Sequence, residues 1–505
     1  MSLTASNTAG VPNKHDDMDK QVETDGVAVV EQQVHGDFED VADMPDEAYL
    51  RAPKKVRWFR GTLFQMFLFG LLSFSGPAMS DAIDNLGGGG LATPYTANAA
   101  NAAQYSIACA MTLFGGPLIN KLGIKWSCII AATFFPIQGA SYYVNSKYGT
   151  QWFVIFVGAI GGFFGGLLYV AESTAMLSYP RAQERGKYIG IWVSMRNSGQ
   201  LLGGAISLGV NVKTAGVGAV SITTYLIFIV LECLGLPGAL LLSPTRKVRR
   251  PDGVPVPLAA PQSWKMETKL LLKHIIHKRT LLMAIPAFYS FFYGGVYTTY
   301  LSLHFSVRAR ALSSFLYPLC TILLCTGFGR LIDSKRWSQK TRAWIGFAFW
   351  AVPQAAVFVW TAILYAQFEK NNLKGIDYTN NTADWFRCYL PYLIIQTTGY
   401  ACQLYLYWLL GCFSSDVKSS ARTGGLFRCF ETAGQAISHG INSRTSDKRI
   451  PLYINIGIFF LMVPTLSILI RMVPKDPHNY DDVTDEKKTQ AVTQEAIATT
   501  EARGL

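Results

Sequence analysis

A 505-residue chain that is half hydrophobic, 13% aromatic and only 15% charged carries too little polar surface for a set of soluble domains, and reads as a membrane protein. Its formal net charge of +12 hides an uneven spread. The stretches 1–57 and 473–505 hold more than half of the acidic residues, which leaves the middle strongly basic.

Residues 1–57 are polar, acidic and without amphipathic period, so they cannot bury enough apolar surface to offset their ordering entropy. The expectation is a disordered cytosolic tail. No positively charged start leads into an apolar core, so a cleaved secretory signal is not indicated.

A helix needs roughly 20 mostly apolar residues to cross a bilayer, because backbone polar groups must be satisfied within the segment. Twelve stretches qualify: 61–82, 98–119, 124–144, 151–177, 187–210, 218–242, 280–303, 311–332, 343–366, 387–411, 421–441 and 451–472. The expected organisation is an N-terminal six-helix bundle over 58–242, a basic cytosolic linker over 243–279, a C-terminal six-helix bundle over 280–472 and a disordered cytosolic tail over 473–505. The linker's Pro-rich middle separates basic ends suited to anionic lipid headgroups. Loops after even-numbered spans hold about twenty Lys and Arg against about ten in the opposite loops, which places both termini in the cytosol of a plasma membrane or endomembrane protein. The single N-x-[ST] sequon, at Asn380, falls in the loop after the ninth span and is expected to be glycosylated outside. The basic loop SRTSDKRI before the last span runs against the charge rule.

Charged side chains inside a span cost at least about 2.5–3.5 kcal/mol near the bilayer centre and usually face protein or water. They include Glu172 in the fourth span, Arg196 in the fifth, Glu232 in the sixth, and Arg428 with Glu431 in the eleventh. They are either a proton- or gating-coupled ion-pair set or static bridges that fix helix packing, and Glu172 with Arg196 is the first pair to test. In the seventh span Tyr289, Tyr293 and Tyr297 recur every four residues and Tyr300 and His304 continue the face. That stripe lines a cargo cavity, packs between helices, or forms an interfacial belt. Gly158, Gly162 and Gly166 form a small-residue seam for close helix contact. LGGGG at 86–90 has neither a preceding strand nor a following G-K-[ST], so it is a flexible outer loop or a lid rather than a phosphate loop. The nine cysteines show no C-x-x-C pairing and read as small buried hydrophobes.

Two stretches repeat at an offset of six spans. GGPLINKLGIKW (115–126) and FGRLIDSKRW (328–337) share G-x-L-x-[D/N] followed by cations, and GIWVSMRNSGQ (190–200) matches GLFRCFETAGQ (425–435). The repeat identifies two related six-span halves. The first stretch resembles the major facilitator superfamily motif between the second and third spans, G-x-L-[A]-D-R-x-G-R-[R/K]. It keeps Gly116, Leu118, Gly123 and Lys125, has Lys121 for Arg, and has Asn120 where the family expects Asp; the second copy keeps Gly329 and Asp333. Further stretches, among them GPAMSDAIDNLGGGG and AESTAMLSYPRAQERGKYIGIWVSMRNSGQ, resemble fungal members of the Unc-ninety-three-like branch. That resemblance implies the major facilitator fold, an all-α integral membrane protein with twelve transmembrane helices in two six-helix bundles. It also implies a central cavity and a cytosolic gate at the repeated motif.

The function expected is secondary transport of a small organic molecule or ion by alternating access, with Glu172 as a candidate for proton coupling. The alternative is a non-transporting regulator or escort of another membrane protein, such as an ion channel. No enzyme signature is present, and no metal, cofactor or nucleic-acid partner is expected.

Overall fold

The computed structural model describes residues 45–180, 185–256, 272, 275–332, 334, 336–371, 374–413, 417–444 and 447–474. The first half contains α1 (Thr62–Ser75 and Pro77–Asp84), α2 (Tyr95–Leu122), α3 (Ile124–Ala132 and Phe135–Tyr148), α4 (Gln151–Ser178), α5 (Arg185–Asn211) and α6 (Ile222–Cys233 and Gly235–Leu241). The second contains α7 (Lys278–Ser290 and Tyr293–His304), α8 (Val307–Ile332), α9 (Gln339–Asn371), α10 (Thr382–Gly411), α11 (Val417–Asn442) and α12 (Arg449–Arg471). Each expected span has its helix, and among the described residues no β-strand occurs beyond isolated bridges. Seven helices, α1, α4, α6, α7, α8, α9 and α12, are long and apolar enough to cross a membrane by length and composition alone. The rest carry more polar sequence, and α2, α5, α10 and α11 furnish much of the polar interior.

Local chemistry sets the breaks. α1 is interrupted at Gly76, where an added Cβ would meet the Phe135 ring at 2.7 Å, and Pro77 starts its second segment. Proline suits a first helical turn because its missing N–H needs no partner there. The corresponding helix of the second half, α7, breaks at Phe291 and Phe292. The glycine seam of α4 lies on α2: a Cβ on Gly158 would meet the Ala100 carbonyl oxygen at 2.7 Å and one on Gly166 the Met111 Cβ at 2.6 Å. The two helices therefore touch along their small faces, as the spacing requires.

The halves meet through α2 against α11 and α5 against α8. Residues 45–60 and 243–256 lie together at one end of the bundle, the end that the charge count assigns to the inner face. One expectation is corrected there. Residues 45–57, assigned to a disordered tail, include the helix Glu47–Arg51 and the start of Lys54–Arg60. The first part of the linker is also ordered, because Arg249 pairs with Asp46 at 2.9 Å and exchanges backbone hydrogen bonds with Arg60 and Thr62. Val248, Val254 and Val256 are buried, which holds this segment to the first half. The Tyr49 amide and the Arg249 guanidinium hold the Asp46 carboxyl below its usual value. Residues 1–44 and 475–505, and with them most of both expected tails, lie outside the described residues.

Candidate functional site

At mid-depth, charged and phenolic side chains from both halves converge. The second segment of α1 carries Asp81, which accepts from Arg196 Nη2 of α5 at 2.8 Å and from Gln200 Nε2 at 2.6 Å. Arg196 Nη2 also donates to the Tyr169 hydroxyl of α4 at 3.1 Å. The Tyr169 ring lies between two guanidinium groups, with the Arg196 carbon 5.3 Å and the Arg428 carbon 5.8 Å from its centroid. Arg428 pairs with Glu431 one turn along α11, and Gln403 of α10 donates to both Glu431 oxygens at 3.1 and 3.0 Å. The Arg196, Asp81 and Arg428 side chains keep 16%, 28% and 36% of their surface accessible, whereas Glu431 keeps 1%. The cluster is thus a charge-balanced set of partly accessible groups, anchored by its most buried carboxylate.

Arg196 and Glu431, paired by the repeat, do sit in one cluster. Glu172 is elsewhere: it accepts from Ser73 Oγ at 2.6 Å, Ser73 Oγ accepts from Trp192 Nε1 at 2.7 Å, and the second Glu172 oxygen has no partner. The expected Glu172–Arg196 bridge is replaced by Asp81–Arg196. Asp81 lay within the first predicted span, so the cost of an intramembrane charge would have singled it out. Glu232 stands apart, tucked into the α3–α6 seam where Gly139 leaves room for its carboxyl.

The tyrosine stripe is packing. Tyr289, Tyr293, Tyr297 and Tyr300 are buried. Tyr289 donates to Gln354, Tyr297 bonds to Thr361 at 3.0 Å and Tyr300 donates to the Cys388 carbonyl at 2.7 Å. These partners lie on α9 and α10 within the second half. The break in α7 also interrupts the regular four-residue spacing.

At the opposite end of the bundle, the outer end by the same charge count, the glycine segment expected as a flexible outer loop or a lid is buried. Gly87, Gly88, Gly89 and Gly90 all have positive φ, from 55° to 73°, a run that only glycine adopts without strain. The fully buried Arg310 of α8 donates to the carbonyls of Leu86 (2.7 Å), Gly87 (2.7 Å), Leu91 (3.2 Å) and Gly218 (2.9 Å), all in the other half. Ser314 adds a bond to Ala82 O at 3.1 Å. Asn98 of α2 donates to Thr299 Oγ1 at 2.8 Å and to Asn442 O at 3.1 Å, and its oxygen lies 2.8 Å from His439 Nδ1. Nearby, Asp377 accepts from Ser306 at 2.5 Å and from Arg308 at 2.6 Å. Burial alone would raise the Asp377 carboxyl, but these bonds and the Thr379 amide outweigh it and hold it below its ordinary value.

The repeated motif is partly visible. Gly123 ends α2 with φ +78°, the sharp turn into α3, and Lys121 is exposed. Gly329 lies within α8 with open space at its Cβ position. Asp333 lies outside the described residues, as do the side-chain positions at Gly116 and Asn120. Asn380 is exposed at the outer end. No group of three His, Cys, Asp or Glu able to hold a metal occurs among the described residues.

Comparison with known proteins fits this geometry. Residues 61–439 match the model of the Major Facilitator Superfamily. The chain is 34% identical over 393 residues to the Aspergillus versicolor "Notoamide biosynthesis cluster protein O'", covering 77% of this chain and 84% of that one. It is 26% identical over 444 residues to the Arabidopsis thaliana "UNC93-like protein 1", covering 86% and 95%. Among solved structures it superposes on a D-xylose-proton symporter with a TM-score of 0.55 at 15% identity, covering 82% of this chain and 97% of that one. A POT peptide transporter gives 0.54 at 14% identity, covering 81% and 93%. These structural likenesses show the fold alone.

Proposed function

The chain belongs to the major facilitator superfamily, and from that premise we propose that it carries a small, polar organic molecule across the membrane by alternating access, with the Asp81–Arg196–Tyr169–Arg428–Glu431 cluster as the cargo site. The observation that carries this reading is the asymmetry of the contact between the halves. The outer end is stitched shut by Arg310 and Asn98, while the mid-depth cluster keeps accessible charge. We take the sealed end as the outer one and the accessible charge of the cluster as reached from the inner face. Rocking of the halves would break the outer bonds and expose the same cluster to the other side.

Cargo with both a charged or polar group and a flat apolar part matches guanidinium, carboxylate and phenol groups lining one space. A relative named for a biosynthesis cluster supports an organic cargo. Proton coupling is assigned to Glu172, whose carboxyl sits beside the cluster's helices with one oxygen unpartnered. The inner face is placed in the cytosol and Asn380 outside; an endoglycosidase-sensitive mass shift lost in Asn380→Gln tests that sidedness.

The function is tested by uptake into proteoliposomes from a panel of small organic molecules. Transport lost in Arg196→Ala and Arg428→Ala supports the reading; a panel that yields neither uptake nor ligand-dependent thermal stabilisation contradicts it. In Glu172→Gln, uptake should lose its dependence on a pH gradient, and unchanged coupling removes Glu172. The escort reading is favoured by Asn120 in the gate motif and by UNC93-like names among the relatives. Stoichiometric copurification with another membrane protein, without ligand stabilisation, would select it.

A further inference from the structure

Of the nine cysteines, two face each other across the two halves. Cys109 lies mid-way along α2 and Cys429 mid-way along α11, with their sulfurs 3.2 Å apart and Cys109 Sγ 3.4 Å from the Cys429 carbonyl oxygen. Both are free thiols, Cys109 partly accessible and Cys429 buried. The helices approach closely here: a Cβ on Gly425 would stand 3.3 Å from the Thr112 carbonyl oxygen. A disulfide has sulfurs at about 2.05 Å, so the pair needs to close by about 1.2 Å, within reach of side-chain rotation and a small helix shift.

We propose that Cys109 and Cys429 are a redox modification site, at which a peroxide oxidant forms a reversible disulfide that ties the halves together and holds the outer seal shut. The thiolate of the more accessible Cys109 attacks one peroxide oxygen, the O–O bond breaks and hydroxide leaves. The Cys429 sulfur then attacks the sulfenic sulfur of Cys109, the S–O bond breaks as the S–S bond forms, and the hydroxyl leaves as water with the Cys429 thiol proton. Overall two thiols lose two electrons and two protons, and hydrogen peroxide gains them as two waters. A thiol reductant reverses the bond. Cross-linking α2 to α11 restrains the relative motion that alternating access needs.

The test uses the full-length protein in liposomes with a protease site inserted in the connector at residues 257–271. After hydrogen peroxide and cleavage, the halves should migrate as one band without reductant and as two bands with dithiothreitol. Cys109→Ser and Cys429→Ser should each give two bands throughout. Two bands from the oxidised parent chain would overturn the site, and a single band persisting in Cys109→Ser would assign the link to another pair. Hydrogen exchange at residues 86–91 reads the lock: oxidation should slow it by about tenfold in the parent chain and leave Cys109→Ser unchanged. A disulfide that forms without slowing this exchange would overturn the lock.

Discussion

Two arginines on cross-bundle elements are held in opposite ways. Arg310 at the outer end is fully buried and bound by four backbone carbonyl oxygens, whereas Arg196 at mid-depth is bound by the Asp81 carboxylate and a phenol, and remains partly accessible. Carbonyl oxygens do not change charge, so the Arg310 lock yields only when the backbone of residues 86–91 moves. A carboxylate partner can be displaced by a charged cargo. The first arrangement suits a gate that opens by rigid-body motion, the second a site that responds to what is bound.

The sharpest way to break that contrast is Arg310→Ala. It leaves several buried carbonyls without donors, and should lower thermal stability in detergent by about 3–5 kcal/mol while raising exchange at residues 86–91. Arg310→Lys, which cannot reach four acceptors, should fall between. Stability equal to the parent chain would show that the plug holds without the guanidinium.

Gly88→Ala probes the same plug through the backbone. With φ +55° and the Pro94 Cα 2.7 Å from the added methyl, the cost should be about 1–3 kcal/mol, measured by thermal unfolding. A neutral outcome would mean that the segment relaxes without strain.

Asp377→Asn tests a carboxylate placed in the outer seal. Its folded value is lowered, so its stabilisation is present above the ordinary carboxylate value near 4 and is lost as pH falls through the folded value. The substitution should cost about 1–3 kcal/mol at neutral pH, and the gap to the parent chain should close in acid. A gap independent of pH would show that Asp377 acts by shape rather than charge.

Asp81→Asn should change stability least, by about 1 kcal/mol or less, because its ion pair is partly solvated. Its effect belongs in ligand recognition: cargo affinity should shift while the fold survives. A large stability loss with unaltered ligand binding would move Asp81 into the same class as Arg310.

The sequence made the helix plan legible because lipid imposes one rule on every span, and the α4 glycine seam because helix contact has a fixed period. The cost of burying charge singled out Arg196, Arg428 and Glu431, and the internal repeat put Arg196 and Glu431 at equivalent places in the two halves without saying that they meet. What escaped was partner choice. Which carboxylate meets Arg196 depends on the break at Gly76, which aims the segment carrying Asp81. Whether Tyr289 and Tyr297 face a cavity or α9 depends on the rotation of a broken helix. The LGGGG segment looked flexible because glycine permits many conformations; the donor that selects one of them, Arg310, lies over 200 positions away, as the Leu86 bond shows.

The most direct measurement is a pair of spin-label distances in nanodiscs, one across the outer end between labels at Thr93 and Thr379, the other across the inner end between labels at Lys125 and Arg336. Arg310→Ala should lengthen the outer distance and shorten the inner one together. If the two distances stay fixed, or lengthen together, the halves do not rock about the mid-depth cluster and the alternating-access account is contradicted.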